Sequence, residues 1–399
     1  MKVLTDKKQI KELVSRSIDR IYPTTEGFEK ELASGRRLRV YLGVDPTGPH
    51  LHLGHATNLL LLRKFQDLGH ETILLIGDFT ARIGDPTDKS AARKPLTKEE
   101  IKENLKTFKT QVEKIISFDG NNPTRIEFNS KWNDPTTFEE LIKLAQNFTV
   151  QQMIERDMFQ ERLKNGKPIG LHEFLYPLIQ GYDSVVMDVD VEIGGTDQTF
   201  NMLTGRTLLK ILKKKEKFVI TTKLLLDPIT NMKIMNKSEG GLVNLDDEPE
   251  DMFGKVMALK DSAIIPIAEF STNMSEDDIN KLSEKENPRD AKLKVAYEVI
   301  KTYHSEKDAE NVKEKWIKIF SKKEIPDDVP RLKVGKKNIL LLDLLIKSGV
   351  ESKSEARRLV LQSAIQINEE TKKDPNEIIS IQGGEILKVG KKKFFKLLK

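Results

Sequence analysis

The spacing of apolar and polar positions changes several times along the chain. Leu38 to Asp45, LRVYLGVD, is β-rich and ends at Asp45-Pro46-Thr47, which predicts a strand running into a turn. The leucine cluster with Phe65 between Leu53 and Leu68 predicts a helix, and the continuous apolar run in Glu71 to Asp78, ETILLIGD, predicts a buried parallel strand. Thr97-Lys98-Glu99-Glu100 is a capping-box start for a helix reaching about Ile116. TRIEFN, Thr124 to Asn129, predicts a third strand; helical patterns follow to about Gln180, and Val186 to Gly195 predicts a fourth strand. This alternation over residues 1–225 predicts a doubly wound α/β domain with a parallel sheet.

Beyond Leu224 the pattern changes. Leu224 to Leu242 holds Pro228, Asn231, Gly240 and Gly241 among mixed polar residues and is expected to be a loop. Pro249 opens a run of helical segments to about Lys322, with another helix start at Ser275-Glu276-Asp277-Asp278. Ile325 to Pro330, IPDDVP, is expected to be a linker, followed by two short helices and several short strands around Gly383-Gly384 and Gly390. The expected organisation is a Rossmann-like parallel-sheet domain over 1–242, an α-helical domain over 243–325, and a small α+β domain over 331–399.

Composition sharpens this outline. Of 399 residues, 38% are hydrophobic and 32% charged, enough apolar material for a sizeable core. No apolar run approaches the ~18 residues of a membrane span. The start, MKVLTDKKQIKEL, has no apolar stretch after its lysines, so no secretory signal is expected. The chain has no cysteine, which excludes disulfides and thiolate chemistry and is compatible with the cytosol, the expected location. The net charge of +5 is unevenly spread: residues 330–399 carry 16 Lys and Arg against 8 Asp and Glu, and the rest carries 51 against 54. A basic module on a near-neutral body suits a polyanionic partner met from one end, or a solubilising tail.

The strongest chemical signal is GVDPTGPHLHLGH, Gly43 to His55, where a strand runs through a turn into a helix opening at His52-Leu53-Gly54-His55. His52 and His55, three apart, share a helix face. A helix N-terminus offers unpaired N–H groups and a positive partial charge that suit phosphate. Gly54 lets a nucleotide approach the backbone, and imidazole N–H groups can hold phosphates as charge builds in a transition state. Two other readings of these histidines stand, structural residues or metal ligands, because His50, His52 and His55 form HxHxxH. No His or Cys pair downstream supports a metal, so none is assigned.

HLGH resembles the HIGH signature of class I aminoacyl-tRNA synthetases, and its setting, YLGVDPTGPHLHLGH, is similar to the tyrosine-specific family. The resemblance continues through FQDLGHETILLIGDFTARIGDPTDKSAARKPL, FLYPLIQGYDS, VEIGGTDQTFN, EPEDMFGKVMAL, NPRDAKLK and SKSEARRLVLQSAIQIN, nearly the whole chain. HLGH alone is weak, since related nucleotidyltransferases share it; the ordered set is specific. The family's KMSKS loop corresponds here to Ile234-Met235-Asn236-Lys237-Ser238. Its first lysine position holds Ile234, with Lys233 one residue earlier, while Lys237 matches the second lysine. On composition alone this segment is a solvated basic loop.

The resemblance implies a set of roles. Tyr41 and Asp183 would hold a substrate phenol, with Thr80, Asp85, Tyr176 and Gln180 around its amino group. Asp197 and Gln198 would stand near the reacting carboxylate. Gly43, Asp45, Thr47, His52, Gly54, His55, Lys233, Lys237 and Ser238 would bind ATP, with Mg²⁺ accompanying the nucleotide, and His52, His55 and Lys237 would be catalytic. Without the resemblance, Tyr176 would be a core aromatic and Asp183 a helix or turn polar group. The C-terminal module resembles a small RNA-binding domain shared with a small-subunit ribosomal protein, which implies phosphate contacts from Lys353, Arg357 and Arg358. That domain's usual turn glycines are here Ser363 and Asn368 to Glu370.

The implied activity is that of a tyrosine-tRNA ligase: tyrosine attacks the α-phosphate of ATP, and the adenylate passes tyrosine to the terminal ribose of tRNA(Tyr). The implied partners are L-tyrosine, tRNA(Tyr) and a second copy of the chain; the helical domain would face the anticodon side. Three rivals remain: a tryptophan-activating homologue, a nucleotidyltransferase that does not touch tRNA, and a synthetase-like RNA-binding protein that has lost catalysis. The Tyr41–Asp183 pair disfavours the first, the basic module disfavours the second, and Ile234 keeps the third alive.

Overall fold

A computed structural model of the chain describes residues 2–87, 95–235, 241–284, 287–320, 330–390 and 393–399. Lys237, Ser238 and the expected linker up to residue 329 lie outside the described residues. The chain divides into two compact units, Met1–Ala309 and Glu310–Lys399.

The first unit is built on a six-stranded sheet of β1 (Ile18–Tyr22), β2 (Arg39–Val44), β3 (Glu71–Ile76), β4 (Arg125–Phe128), β5 (Val191–Gly195) and β6 (Phe218–Thr222), in the order β1-β6-β5-β2-β3-β4. All neighbours are parallel except β1 on β6. β2 and β3 are apolar on both faces and β5 on one, with Val40, Leu42, Ile73, Leu74, Val191 and Ile193 buried, because helices cover both sides. From β2 the chain winds outward to β3 and β4, then returns to β5 and β6 on the other side. The carboxyl ends of β2 and β5 therefore flank a topological switch point, where α/β sheets open a binding crevice.

The expected parallel-sheet fold is observed, with differences at element ends. The helix expected from Thr97 to Ile116 is two helices, Lys98–Asn104 and Phe108–Val112. At the break Thr107, and Gln111 within the second helix, turn their side chains to the Pro49 carbonyl, at 3.1 and 2.8 Å, binding this corner to the HLGH segment. Val186 and Met187 belong to the helix Leu171–Met187, not to the fourth strand. That helix stops at Asp188 in a left-handed conformation, and β5 begins only at Val191.

The helical segments after Pro249 pack within the same unit. Pro288–Tyr303 lies against Pro249–Ala258 and Ile264–Ser271, and Ile264–Ser271 lies against Leu53–Asp67. Arg16 ends the Ile264–Ser271 helix by donating to the Ala268, Glu269, Thr272 and Met274 carbonyls, a cation satisfying a helix C-terminus.

In the second unit, β7 (Arg331–Lys333), β8 (Asn338–Leu340), β9 (Ile365–Ile367), β10 (Glu370–Thr371), β11 (Ile378–Ser380), β12 (Ile386–Val389) and β13 (Lys393–Leu398) accompany helices Leu341–Lys347 and Lys353–Leu361. The order β10-β9-β12-β13-β7 forms one sheet, and β8 pairs with β11. Leu341, Leu345, Ala356, Val360, Ile365, Leu387 and Leu397 make its core. The glycine-free turns keep their shape. Asn368 and Glu369 both take positive φ, at 48° and 69°, closing β9 on β10 in a two-residue hairpin; Ser363 also sits at 56°.

Candidate active site

A cavity of about 1090 Å³ opens at the switch point. Its floor comes from the strand ends: Tyr41 and Gly43 of β2, Gly77 after β3, Asn129 after β4, and Glu192 and Gly195 of β5. Gly77 is required here, because a Cβ would stand 1.9 Å from Asp45 Oδ1.

One end of the cavity belongs to the HLGH segment. The helix Leu53–Asp67 has His52 as its N-cap, and the two histidines form a capping box with the backbone. His52 Nδ1 accepts from the Gly54 amide and His55 Nδ1 accepts from the His52 amide, each at 3.1 Å. With Nδ1 accepting, each neutral ring must carry its proton on Nε2, so each is a donor at that atom. Burial, and then the neighbouring His52 ring 4.1 Å away, push His55 down to about 3, so it stays neutral at physiological pH. Gly54 serves the histidines as well: a Cβ there would meet His52 Cε1 at 2.9 Å.

The segment from residue 241 onward is bound to this end. Leu53 N donates to Val243 O at 3.0 Å and Leu245 N to Leu51 O at 2.7 Å. His50 takes no part in a histidine cluster, since its Nδ1 lies 2.7 Å from Asp246 Oδ2. At the start of the segment corresponding to KMSKS, Ile234 is buried, and Lys233 lines the cavity with its ammonium 3.3 Å from Asp197 Oδ2. Met235 before Lys237 and Leu242 after it both line the cavity.

The other end holds the residues expected to meet an amino acid, and Asp45, expected at the nucleotide, is bonded to two of them. Asp45 accepts from Thr80 Oγ1 at 2.6 Å and from the Tyr176 hydroxyl at 2.8 Å. Gln198 Nε2 donates to Asp85 Oδ2 at 2.7 Å. Tyr41 and Asp183 both line the cavity and are buried, but no hydrogen bond joins them. The Tyr41 hydroxyl pairs with Ser184 Oγ at 2.9 Å. Asp183 accepts from Trp132 Nε1 at 2.7 Å, Asn129 Nδ2 at 3.2 Å and Asn133 Nδ2 at 3.3 Å. Burial pushes the Asp183 carboxyl up to about 8, against the pull of those three donors.

That shift has a measurable sign. The unfolded chain releases the Asp183 proton near the ordinary carboxylate value of about 3.9, whereas the native state keeps it to about pH 8. The stability it lends is full below about pH 4 and declines by roughly 1 kcal/mol per pH unit as pH rises toward 8. Asp183→Asn removes this decline, so in urea titrations the variant gains on the unmodified protein between pH 5 and 8; parallel stability curves would contradict the shift.

Thus the cavity gathers Tyr41, Gly43, Asp45, Thr47, His52, Gly54, His55, Thr80, Asp85, Tyr176, Gln180, Asp183, Asp197, Gln198 and Lys233. Sequence reading missed Asn129, Trp132 and Asn133, which hold Asp183, and the buried Glu192 and Lys217. A charged residue inside an apolar strand, as in VEIGG, was the available signal for Glu192. Lys353, Arg357 and Arg358 lie elsewhere, exposed on the helix Lys353–Leu361 of the second unit. Lys353 pairs with Asp343 at 2.9 Å and Arg358 with Glu355 at 3.5 Å, exposed pairs of small energetic weight.

A sheet of this order, with a histidine-capped helix at its switch point, has a counterpart among known proteins. A profile described as tRNA synthetases class I (W and Y) matches residues 33–321, and the chain belongs to that class. A second profile, the tyrosine–tRNA ligase SYY-like C-terminal domain, matches residues 322–397. The tyrosine–tRNA ligase of Carboxydothermus hydrogenoformans is 42% identical, covering 98% of each chain, and that of Thermotoga maritima is 43% identical, covering 99% of this chain and 98% of its own. Within the class, the chain is therefore a member of the tyrosine–tRNA ligase family. The fold is shared with a truncated Aspergillus nidulans mitochondrial tyrosyl-tRNA synthetase, at TM-score 0.65 and 22% identity over 79% of this chain and 94% of that one. It is also shared with the Archaeoglobus fulgidus tyrosyl-tRNA synthetase complexed with L-tyrosine, at TM-score 0.59 and 19% identity over 77% of this chain and all of that one.

Proposed function

We propose that the cavity seats tyrosine between Tyr41 and Asp183 at one end and ATP over His52 and His55 at the other, within the tyrosine-tRNA ligase that family membership defines. The observation that carries this is the coexistence of the two ends in one cavity: a buried polar pair suited to a phenol, and two imidazole donors at a helix N-terminus. In this reading Thr80, Asp85, Tyr176 and Gln180 surround the ammonium, while Asp197 and Gln198 line the carboxylate side. Asp45, Thr47, Gly43 and Gly54 contact the nucleotide.

The tyrosine carboxylate attacks the α-phosphate in line and pyrophosphate leaves; the terminal hydroxyl of tRNA(Tyr) then takes the tyrosyl group. No protein nucleophile is needed, so position and charge stabilisation supply the rate. The Nε2–H groups of His52 and His55 face charge building on the phosphates, and Lys237 joins them from the lysine loop. Lys233, exposed at the cavity mouth while Ile234 is buried, contributes the second cation. Mg²⁺ would accompany the triphosphate and would neutralise part of its charge. Among the described residues no three His, Asp or Glu side chains are grouped to hold a metal themselves.

Lys353, Arg357 and Arg358 contact RNA phosphates, and the protein works in the cytoplasm. The three-part organisation at 1–242, 243–325 and 331–399 divides these tasks between adenylate chemistry, the anticodon side and RNA affinity. The functional unit is a homodimer. Phe138 and Ile142, one turn apart on the helix Phe138–Ala145, are 87% and 65% exposed, and Val150 and Leu171 are exposed on neighbouring helices. Two strongly exposed apolar side chains one turn apart suit a protein interface. Phe138→Asp with Ile142→Asp is expected to shift the sedimentation mass toward the 45.6 kDa of one chain; an unmodified protein already at that mass would contradict the dimer.

Amino-acid-dependent exchange of pyrophosphate into ATP tests the function. Tyrosine alone should support it. Support by tryptophan alone would reassign the substrate, and no exchange with any amino acid would favour a non-catalytic RNA-binding protein.

A further inference from the structure

Beneath the cavity floor lies a buried ion pair that none of the roles above employs. Lys217 and Glu192 are both almost wholly enclosed and bond each other directly. Lys217 Nζ, and Ser184 Oγ at 3.3 Å, approach one carboxylate oxygen, Glu192 Oε2, and the Tyr41 hydroxyl also bonds to this carboxylate. Lys217 also donates to Ser184 Oγ at 2.8 Å. The other oxygen, Oε1, accepts from Gln180 Nε2 at 3.2 Å, on the side where Glu192 and Gln180 line the cavity.

The consequence concerns the Gln180 amide. An amide has a donor face and an acceptor face, and its neighbours decide which way it turns. A carboxylate oxygen can only accept, so Glu192 draws the Gln180 NH₂ group toward itself. The Gln180 carbonyl oxygen is then the face offered to the cavity, an acceptor where a cationic amino group is to bind. We infer that Glu192 is a positioning residue that fixes the Gln180 amide as an acceptor for the substrate's α-ammonium, with Lys217 and Ser184 pinning its far oxygen. The inference rests on the assignment of this cavity to tyrosine. It adds a selector for the ammonium that acts through another side chain.

The isosteric Glu192→Gln separates this role from packing. Lys217 and Ser184 require an acceptor on their side, so the new side chain places its carbonyl there and its NH₂ toward Gln180. Gln180 must then turn over and present NH₂ to the ammonium. The hydrogen bond lost is charge-assisted, a class worth about 1.5–3 kcal/mol, or roughly 10- to 100-fold in affinity.

The measurement is inhibition of tyrosine-dependent pyrophosphate exchange by two tyrosine fragments. Tyramine keeps the ammonium, and 3-(4-hydroxyphenyl)propionate lacks it. In Glu192→Gln the KM for tyrosine should rise, and the Ki for tyramine should rise about 10-fold or more relative to the Ki for the propionate, since any change at Tyr41 acts on the phenol that both fragments share. Adding Gln180→Glu should restore tyramine binding, because the carboxylate introduced there accepts from the amide introduced by Glu192→Gln and faces the ammonium. Equal shifts for both fragments, no shift for either, or no recovery in the double variant would overturn the inference. If the unmodified protein showed no exchange with tyrosine, the assignment of the cavity itself would fall; normal exchange with parallel fragment shifts would remove only the role of Glu192.

Discussion

Replacing His55 with alanine is expected to slow tyrosine-dependent pyrophosphate exchange by roughly 10²- to 10³-fold, the scale seen when one preorganised donor to a developing anion is removed. The KM for tyrosine should barely move, because the proposed reading gives the histidines to the nucleotide and not to tyrosine. The same change has a structural side. His55 Nδ1 satisfies the His52 amide at the start of the helix, and losing a cap costs about 1 kcal/mol. His55→Asn distinguishes the two effects. Its side-chain oxygen can still accept from the His52 amide, so thermal stability should recover while the rate does not. Recovery of both would reduce His55 to a cap. Because burial holds His55 down at about 3, its own titration should leave no step in the rate between pH 6 and 7.

The second large effect belongs to Asp183. Asp183→Ala should lower kcat/KM for tyrosine by at least roughly 100-fold, since the proposed buried partner of the phenol is lost and its desolvation is no longer offset. Exchange supported by phenylalanine, which has no hydroxyl to pair, should not fall with it, so selectivity between the two collapses. The variant also strips the acceptor from Trp132, Asn129 and Asn133, so its unfolding temperature must be followed alongside. A parallel loss for tyrosine and phenylalanine would show that Asp183 only holds the pocket together.

These two residues also mark how far sequence reading reached. The histidine end was legible because it is local: strand, turn, helix and both rings fall within Gly43 to His55, and a short contiguous stretch fixes its own geometry. Asp183 was placed only through family resemblance. Its surroundings come from the segment after β4 and from the helix Leu171–Met187, some 50 residues apart in the chain, and no periodicity announces such a pairing. Glu192 and Lys217 were missed for the same reason, since each reads as an ordinary charged residue until the sheet buries both. Strands β1 and β6 went unnamed because five-residue stretches such as IDRIY and FVITT carry little signal without their partner. The helix expected through Ile116 broke where side chains of Thr107 and Gln111 found a distant carbonyl, a tertiary contact overriding a continuous helical pattern.

The C-terminal hairpin teaches the reverse. With Ser363, Asn368 and Glu369 in place of glycines, sequence chemistry argued against tight turns, yet all three residues adopt positive φ. Asparagine tolerates that region and glutamate does so at a cost, which the surrounding sheet pairing of β9 and β10 overrides.

The central claim is that one cavity holds a phenol and a triphosphate at opposite ends. A crystal structure with tyrosine and a non-hydrolysable ATP analogue tests it most directly. The phenol oxygen should lie within hydrogen-bonding distance of Asp183 and Tyr41, with the Nε2 atoms of His52 and His55 turned to the phosphates. A tyrosine ring bound with its hydroxyl away from Asp183, or phosphates remote from both histidines, would contradict it.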